Sequence, residues 1–531
     1  MRKLLKVFGV IVFVASISLW LAYRYYWEGV DTSNRRPAFS ISPETTYLTG
    51  PLDSMGYVDY ETALNERLRK DTKPDENAVV LIWKVLGPKP EGFEINERYF
   101  QKLGVPRPAE TPDDFVSFVK FSQGKSVFGQ GTTEFEQEMD AVTKRPWSAK
   151  DHPLYAEWLE KNAAAMVIAE QASRCTKYFH PLVIPRRDQN AGTLLDALLP
   201  ILGKTREVAA AFVRRAMLKT AEGKHDEAWA DLMTVHRLAR LQMQAGTLIE
   251  MLVGYVLEMV ALEGDLVFLE HAQLNADKIR ALMDDLQRLP APGSIGTKGL
   301  LTDRITHLNI VQQFYRGGFG VLESLATDKE APKSSRAKLA AIDGWDWDLI
   351  FQISNDWFDR FEQASRIPDR AERVAAIEEL KEELLNLPVS GGNMLEQFAE
   401  VQVFGTAPIS KSTKIANILV KLLLPALPKI YEANDRREQR LQNFRVACAL
   451  AAYKADNGRY PDTLDVLQPK YLPTVPLDLF SGEPLIYQPD DNGYLLYSVG
   501  ENGQDDNGMS FDDLPKGDDL VVRMPLPPLK K

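Results

Sequence analysis

Over most of its length the chain repeats apolar positions at helical spacing, and sustained period-two alternation is confined to its last fifty residues. The stretch "PLYAEWLEKNAAAMVIAEQASRC" (153–175) predicts a first strong helix, and several more follow between 194 and 289. Within 216–241, Gly223 separates two amphipathic runs, with Ala216, Ala228 and Leu232 placing small or apolar groups where two helices must cross closely. This is the pattern of one tetratricopeptide-type hairpin. No second copy recurs at a period of about 34 residues, so an ordinary helical bundle fits equally. The apolar run 246–269 contains Glu250, Glu258, Glu263 and Asp265, which predicts a buried helix instead of a membrane span. A second run, 415–430, is interrupted by Lys421, Pro425 and Pro428 and predicts core packing or a junction, with contact to a membrane surface as the alternative.

Towards the C-terminus the pattern changes. Leu441, Phe444, Cys448 and Ala451 continue a long helix, and Asn457-Gly458 supplies a stop. "EPLIYQP", "DDNG" and "YLLYSVG" (483–500) predict a hairpin, and "DDLVVRM" (518–524) a third strand. The predicted fold class is mainly α, ending in an α+β module made of a long helix and a small antiparallel sheet. The expected divisions are a membrane helix at 1–27, a linker at 28–56, a mixed region at 57–150, a helical body at 151–400, a connection at 401–430 and the final module at 431–531.

The N-terminus gives the body its expected compartment. Arg2, Lys3 and Lys6 precede an uncharged stretch, 7–23, followed by Arg24. At about 1.5 Å per residue this approaches a bilayer core of roughly 30 Å, with snorkelling basic ends making up the difference. Trp20, Tyr23, Tyr25, Tyr26 and Trp27 form an interfacial belt. The basic flank predicts a cytoplasmic N-terminus and a periplasmic body. A retained signal anchor and a cleaved signal peptide both fit.

Composition narrows the chemistry. The chain has 531 residues, 45% hydrophobic and 26% charged, with a net charge of −11. That acidity, with no basic stripe, excludes nucleic acid as a partner. Nucleotides are excluded by motif: "GKS" (124–126) follows Val119 where a phosphate loop needs glycine, and "GQGTTE" (129–134) lacks the last glycine of a dinucleotide loop. The six histidines show no zinc-hydrolase spacing, and "PVSGGN" (388–393) has no nucleophile-elbow frame. No catalytic residues or organic cofactor are expected, and the chain is read as a non-enzyme. The aromatic, acidic stretch at 345–364 offers carboxylates beside tryptophans, as carbohydrate enzymes do, but an N-cap aspartate followed by core aromatics explains it more simply. Cys175 and Cys448 are read as two buried free thiols.

The segments "ALAAYKADNGRYPDTLDVL" (449–467), "KYLPTVPLDLFSGEPLIY" (470–487) and "LLYSVGENG" (495–503) together resemble the C-terminal domain of the major pseudopilin of bacterial type II secretion systems. The resemblance covers the final module alone. It implies a helix docked on a short sheet, and a Ca²⁺ site in the last loop, where the family's acidic pair corresponds to Asp518-Asp519. The implied ligands are Asp505, Asp506, Asn507, Asp518 and Asp519. A solvated acidic loop with Asn-Gly turns is the alternative. An EF-hand is excluded, because aligning Asn507-Gly508 to its fifth and sixth positions puts Gly503 first.

The chain departs from the pseudopilin pattern elsewhere. Val10 follows Gly9, Val14 stands at the position of the expected glutamate, and about 400 residues separate the membrane segment from the module. A borrowed domain is therefore expected, in a membrane-anchored extracytoplasmic scaffold whose partners are the membrane, through 1–27, and other proteins. The alternatives are an exported hydrolase with its site in the helical body, and a component of a secretion system.

Overall fold

The computed structural model describes residues 35–90, 95–125, 132–185, 192–197, 199, 201–317, 345–388, 408–424 and 427–529. The expected membrane helix, 1–27, lies outside them. No helix among the described residues is long and apolar enough to cross a membrane.

Sixteen α-helices are described. The first seven are α1 (Tyr60–Arg69), α2 (Ala78–Leu86), α3 (Glu97–Leu103), α4 (Phe118–Phe121), α5 (Thr133–Lys144), α6 (Pro153–Lys161) and α7 (Ala163–Ser173). Next come α8 (Leu202–Ala221), α9 (His225–Gln242), α10 (Leu248–His271), α11 (Ala276–Gln287) and α12 (Leu300–Gly317). The last four are α13 (Trp347–Ser365), α14 (Arg370–Leu385), α15 (Pro408–Leu423) and α16 (Leu427–Asn457). Three strands follow: β1 (Ile486–Pro489), β2 (Tyr494–Ser498) and β3 (Leu520–Met524). The mainly helical class with a small C-terminal sheet is as the periodicity predicts.

The described residues form two compact units, each assembled from separated parts of the chain. The first takes the described residues of Met1–Lys70, Pro181–Leu199 and Leu300–Pro428. Its core packs α1, α12, α13 and α15 around aromatic rings; Phe39 meets Tyr315 edge-on at 5.2 Å, and Tyr315 meets Trp347 at 5.0 Å. The apolar run from 415 is core material: Ile415, Ala416, Ile418, Leu419 and Val420 are all buried. Asp346 caps α13 by accepting the Leu349 N–H at 3.0 Å, and Trp347, Phe351, Trp357, Phe358 and Phe361 are buried. These rings fill a core and form no platform for sugars.

The described part of the expected 28–56 linker is packed instead of free. Phe39 and Leu48 are buried, and the Ser40 N–H and hydroxyl both donate to Asp348, at 2.7 and 2.8 Å. A segment without periodicity can still be ordered when isolated apolar side chains and local hydrogen bonds satisfy it.

The second unit takes Asp71–His180, Pro200–Gly299 and Lys429–Lys531. Here α8 and α9 form the expected hairpin, turning at Gly223 with φ +73°, but α10 packs against both. The approach is close: a Cβ on Gly264 would lie 2.8 Å from a Leu232 methyl. A three-helix core results, so the hairpin is one arm of a bundle.

In the final module α16 ends as predicted. Gly458 follows it at φ +78° and donates its N–H to the Lys454 carbonyl at 2.8 Å. The sheet order is β1-β2-β3, antiparallel throughout, with Ile486 opposite Tyr497 and Tyr494 opposite Met524. The connecting turn is held by Asp490, whose carboxylate accepts the N–H groups of Asn492 and Gly493 at 2.8 and 2.6 Å. Asn443 of α16 donates to the Leu520 carbonyl at 2.8 Å, joining helix to sheet.

Candidate functional site

Apolar helices buried on every side rarely carry charge without a partner. On α10, Glu258 and Asp265 are fully buried. Glu258 takes the Arg240 Nε–H of α9 on Oε1 and the Arg437 Nη1–H of α16 on Oε2, both at 2.7 Å. His236 of α9 bonds Asp265 Oδ2 through Nε2 at 2.8 Å, and its Nδ1 stands 3.7 Å from Glu258, beyond hydrogen-bond reach but within ion-pair range. Burial works against charge on the imidazole, yet Asp265 and Glu258 outweigh it and His236 is pushed up to about 9. Burial likewise opposes the charged Glu258, but His236, Arg240 and Arg437 prevail and draw it down to about 2. Two cationic guanidinia, an imidazolium and two acids thus join α9, α10 and α16 in a closed ionic core. Glu258, Asp265 and His236 are wholly buried and Arg437 nearly so, which makes the cluster a link between helices.

A serine–histidine pair does occur in the first unit: His307 Nε2 lies 2.9 Å from Ser354 Oγ. The Ser354 hydroxyl donates to the Ile350 carbonyl at 2.9 Å, so the imidazole must be the donor to Oγ. A general base needs the opposite arrangement, accepting the hydroxyl proton. Both residues are buried, and burial pulls His307 down to about 3, so the ring is neutral. This pair is core hydrogen bonding and supplies no nucleophile.

The acidic loop is brought together, but around its own backbone. Asp505 accepts the Tyr497 hydroxyl at 3.0 Å and the Asn507 N–H at 2.8 Å. Asp506 accepts the Asp518 N–H at 2.7 Å, Asp518 the Asn502 N–H at 2.9 Å, and Asp519 the Gly508 N–H at 2.7 Å. Asn507 sits in the left-handed region at φ +59° and serves the turn. Among the described residues, no three acidic, histidine or cysteine side chains stand together as a metal ion requires. In this arrangement Asp505, Asp506, Asp518 and Asp519 each spend carboxylate oxygens on hydrogen bonds of the loop itself, and a Ca²⁺ shell of six to eight oxygens would need those oxygens turned to the ion. The two thiols are free: Cys448 is buried, as expected, and Cys175 is half-buried.

A cleft of about 450 Å³ lies where the end of α10, the last turns of α16 and the ends of β2 and β3 meet. That volume is in the range that holds small ligands. Leu269, Leu274, Ile279, Ala451 and Met524 give it apolar walls. Glu270, Lys454 and Tyr460 supply its chemistry, beside Tyr494. Tyr460 and Tyr494 meet edge-on at 4.9 Å, and the Lys454 ammonium stands 4.4 Å from the centre of the Tyr460 ring. Burial first, and then the nearby Glu270 charge, raise the Tyr460 hydroxyl. Glu270 Oε1 accepts the Leu526 N–H at 3.1 Å, and its Oε2 has no hydrogen-bond partner. Gly493 lets β2 leave its turn against β3, since a Cβ there would overlap the Met524 carbonyl oxygen.

Sequence reasoning missed the ionic core and the cleft. The first had a signal: acids two helical turns apart, Glu258 and Asp265, inside an apolar run require cations on neighbouring helices. The second had none, because its wall comes from four separated segments. No protein-family model, curated protein or solved structure matches this chain.

Proposed function

We propose that this protein is a membrane-anchored, extracytoplasmic scaffold that binds other proteins, and that its pseudopilin-like module is a built-in part of a helical platform. The observation that carries this reading is the burial of one face of the first half of α16. Arg437 is 2% exposed and ion-paired to Glu258, and Gln439 accepts the Leu479 N–H at 2.7 Å. A helix so engaged within its own chain is unavailable for polymerising with other subunits, which supports a scaffold over a pilus subunit. The hydrogen-bond direction at Ser354 speaks against hydrolysis at that pair. Calcium binding belongs to the proposal through the resemblance, and loading would require the loop carboxylates to leave the amides they now hold.

The test has two arms. Protease added to intact spheroplasts should degrade the body, and a protected body sinks the placement. Purification of the full chain from detergent-solubilised membranes, with and without chelator, should yield a stoichiometric protein partner. A chain that always purifies alone overturns the scaffold.

A further inference from the structure

Beyond any scaffold role, and independently of it, we propose that the cleft between α10, α16 and the sheet binds a short zwitterionic peptide with apolar side chains. Three properties of the cleft carry this. Much of its wall is hydrocarbon, from Leu269, Leu274, Ile279, Ala451 and Met524, which favours an apolar body. It contains one carboxylate, Glu270, and one ammonium, Lys454, and these two opposite charges form no ion pair with each other. Among the described residues Lys454 meets no carboxylate at all; its ammonium faces the Tyr460 ring at 4.4 Å. Opposite charges kept apart in one apolar cleft are complementary to a ligand that is itself a dipole.

The carboxylate is under-used. An ionised carboxylate can accept about four hydrogen bonds. Glu270 accepts a single one, from the Leu526 N–H; the neighbouring His271 Nδ1 stands 3.7 Å from its Oε2, beyond hydrogen-bond reach, and is turned to the Val267 carbonyl at 2.9 Å. The terminal carboxylate torsion is soft, so a small rotation presents an oxygen to the cleft. A peptide α-ammonium is the donor that suits it. At the other end, the carboxylate of the same peptide meets Lys454, and apolar side chains between the ends lie along Leu269, Leu274, Ile279 and Met524. The volume of about 450 Å³ suits a dipeptide or tripeptide, with both ends within the cleft.

The probes are Leu-Leu, N-acetyl-Leu-Leu and Leu-Leu amide, titrated calorimetrically into the full chain in detergent micelles. Leu-Leu should give saturable heat. Acetylation, which removes the ammonium, and amidation, which removes the carboxylate, should each weaken binding at least tenfold. In Glu270→Gln, which keeps an acceptor for Leu526, free Leu-Leu should weaken at least tenfold while acetylation has no further effect. In Lys454→Met, on the exposed end of the helix, amidation should have no further effect. Lys454→Met carries the test by itself if Glu270→Gln fails to fold. The proposal is overturned if millimolar Leu-Leu gives no saturable heat. It is overturned equally if blocked and free peptides bind the wild-type chain alike, or if acetylation and amidation retain their full effects in the variants.

Discussion

Replacing Glu258 by Gln tests whether the ionic core holds α16 to the helical body. The amide has nearly the volume of the carboxylate, but it offers one oxygen where Arg240 and Arg437 now share two. Its NH₂ would face a guanidinium, donor against donor. A carboxyl held at about 2 instead of its ordinary 4.5 is favoured in its charged form by about 3 kcal/mol. Removing one member of a buried ion pair costs about 3–5 kcal/mol, so the two routes agree. Hydrogen exchange read by mass spectrometry on α9, α10 and α16 is the assay. About 3 kcal/mol corresponds to roughly a hundredfold faster exchange there, with α12 and α13 as the internal control. Acceleration below about fivefold, less than about 1 kcal/mol, would refute the idea that this cluster holds the helix. The network also fixes a pH dependence. The contribution of His236, raised from 6.5 to about 9, is complete below its unfolded value and is lost as pH rises through about 9. That of Glu258 is complete above 4.5 and is lost as pH falls through about 2. Protection of α10 should therefore decline on the alkaline side first, and less so in Glu258→Gln.

Four further outcomes are expected. His307 is buried and neutral with its pKa pulled down to about 3, so its contribution is complete above 6.5 and fades as pH falls; between pH 7 and 5 the α12 region should lose about 2 kcal/mol, and His307→Gln should flatten that slope in exchange rates. Asp478→Ala removes the acceptor for Ser498 Oγ at 2.7 Å and for the N–H groups of Val499 and Phe480, and should cost about 2–3 kcal/mol in urea unfolding. Gly493→Ala should displace β3 from the start of β2 and speed amide exchange at Met524. Millimolar Ca²⁺ should raise the melting temperature of the full chain, reversibly with chelator, and an unchanged melting curve ends the calcium reading.

Local chemistry made much of the fold legible. Asp346 before an aromatic run, Asn457-Gly458 after an apolar one, and Asp490 to Gly493 between two β-rich runs each mark a boundary that the structure places there. These signals work because caps and turns are satisfied within a few residues. The units were not legible. Helix α1 packs on α12 more than 200 residues later, and no local pattern announces that partnership. Phe39 and Leu48 looked like linker residues because a core built from single, irregularly spaced side chains has no period. The cleft was invisible for a related reason: Glu270, Lys454 and Tyr494 each suit a helix or strand surface on their own, and only tertiary contact brings them to one wall.

The pairing of Glu258 with Arg437 spans 179 residues of chain. During synthesis the acid on α10 emerges long before its guanidinium partner, so the second unit cannot close until its last segment has been made. Any truncation near residue 430 would leave Glu258 beside Arg240 and His236 alone and would open an apolar seam along α10. Cutting the molecule at its apparent module boundary would therefore divide one cooperative body in two, and a fragment's behaviour would say little about the intact chain.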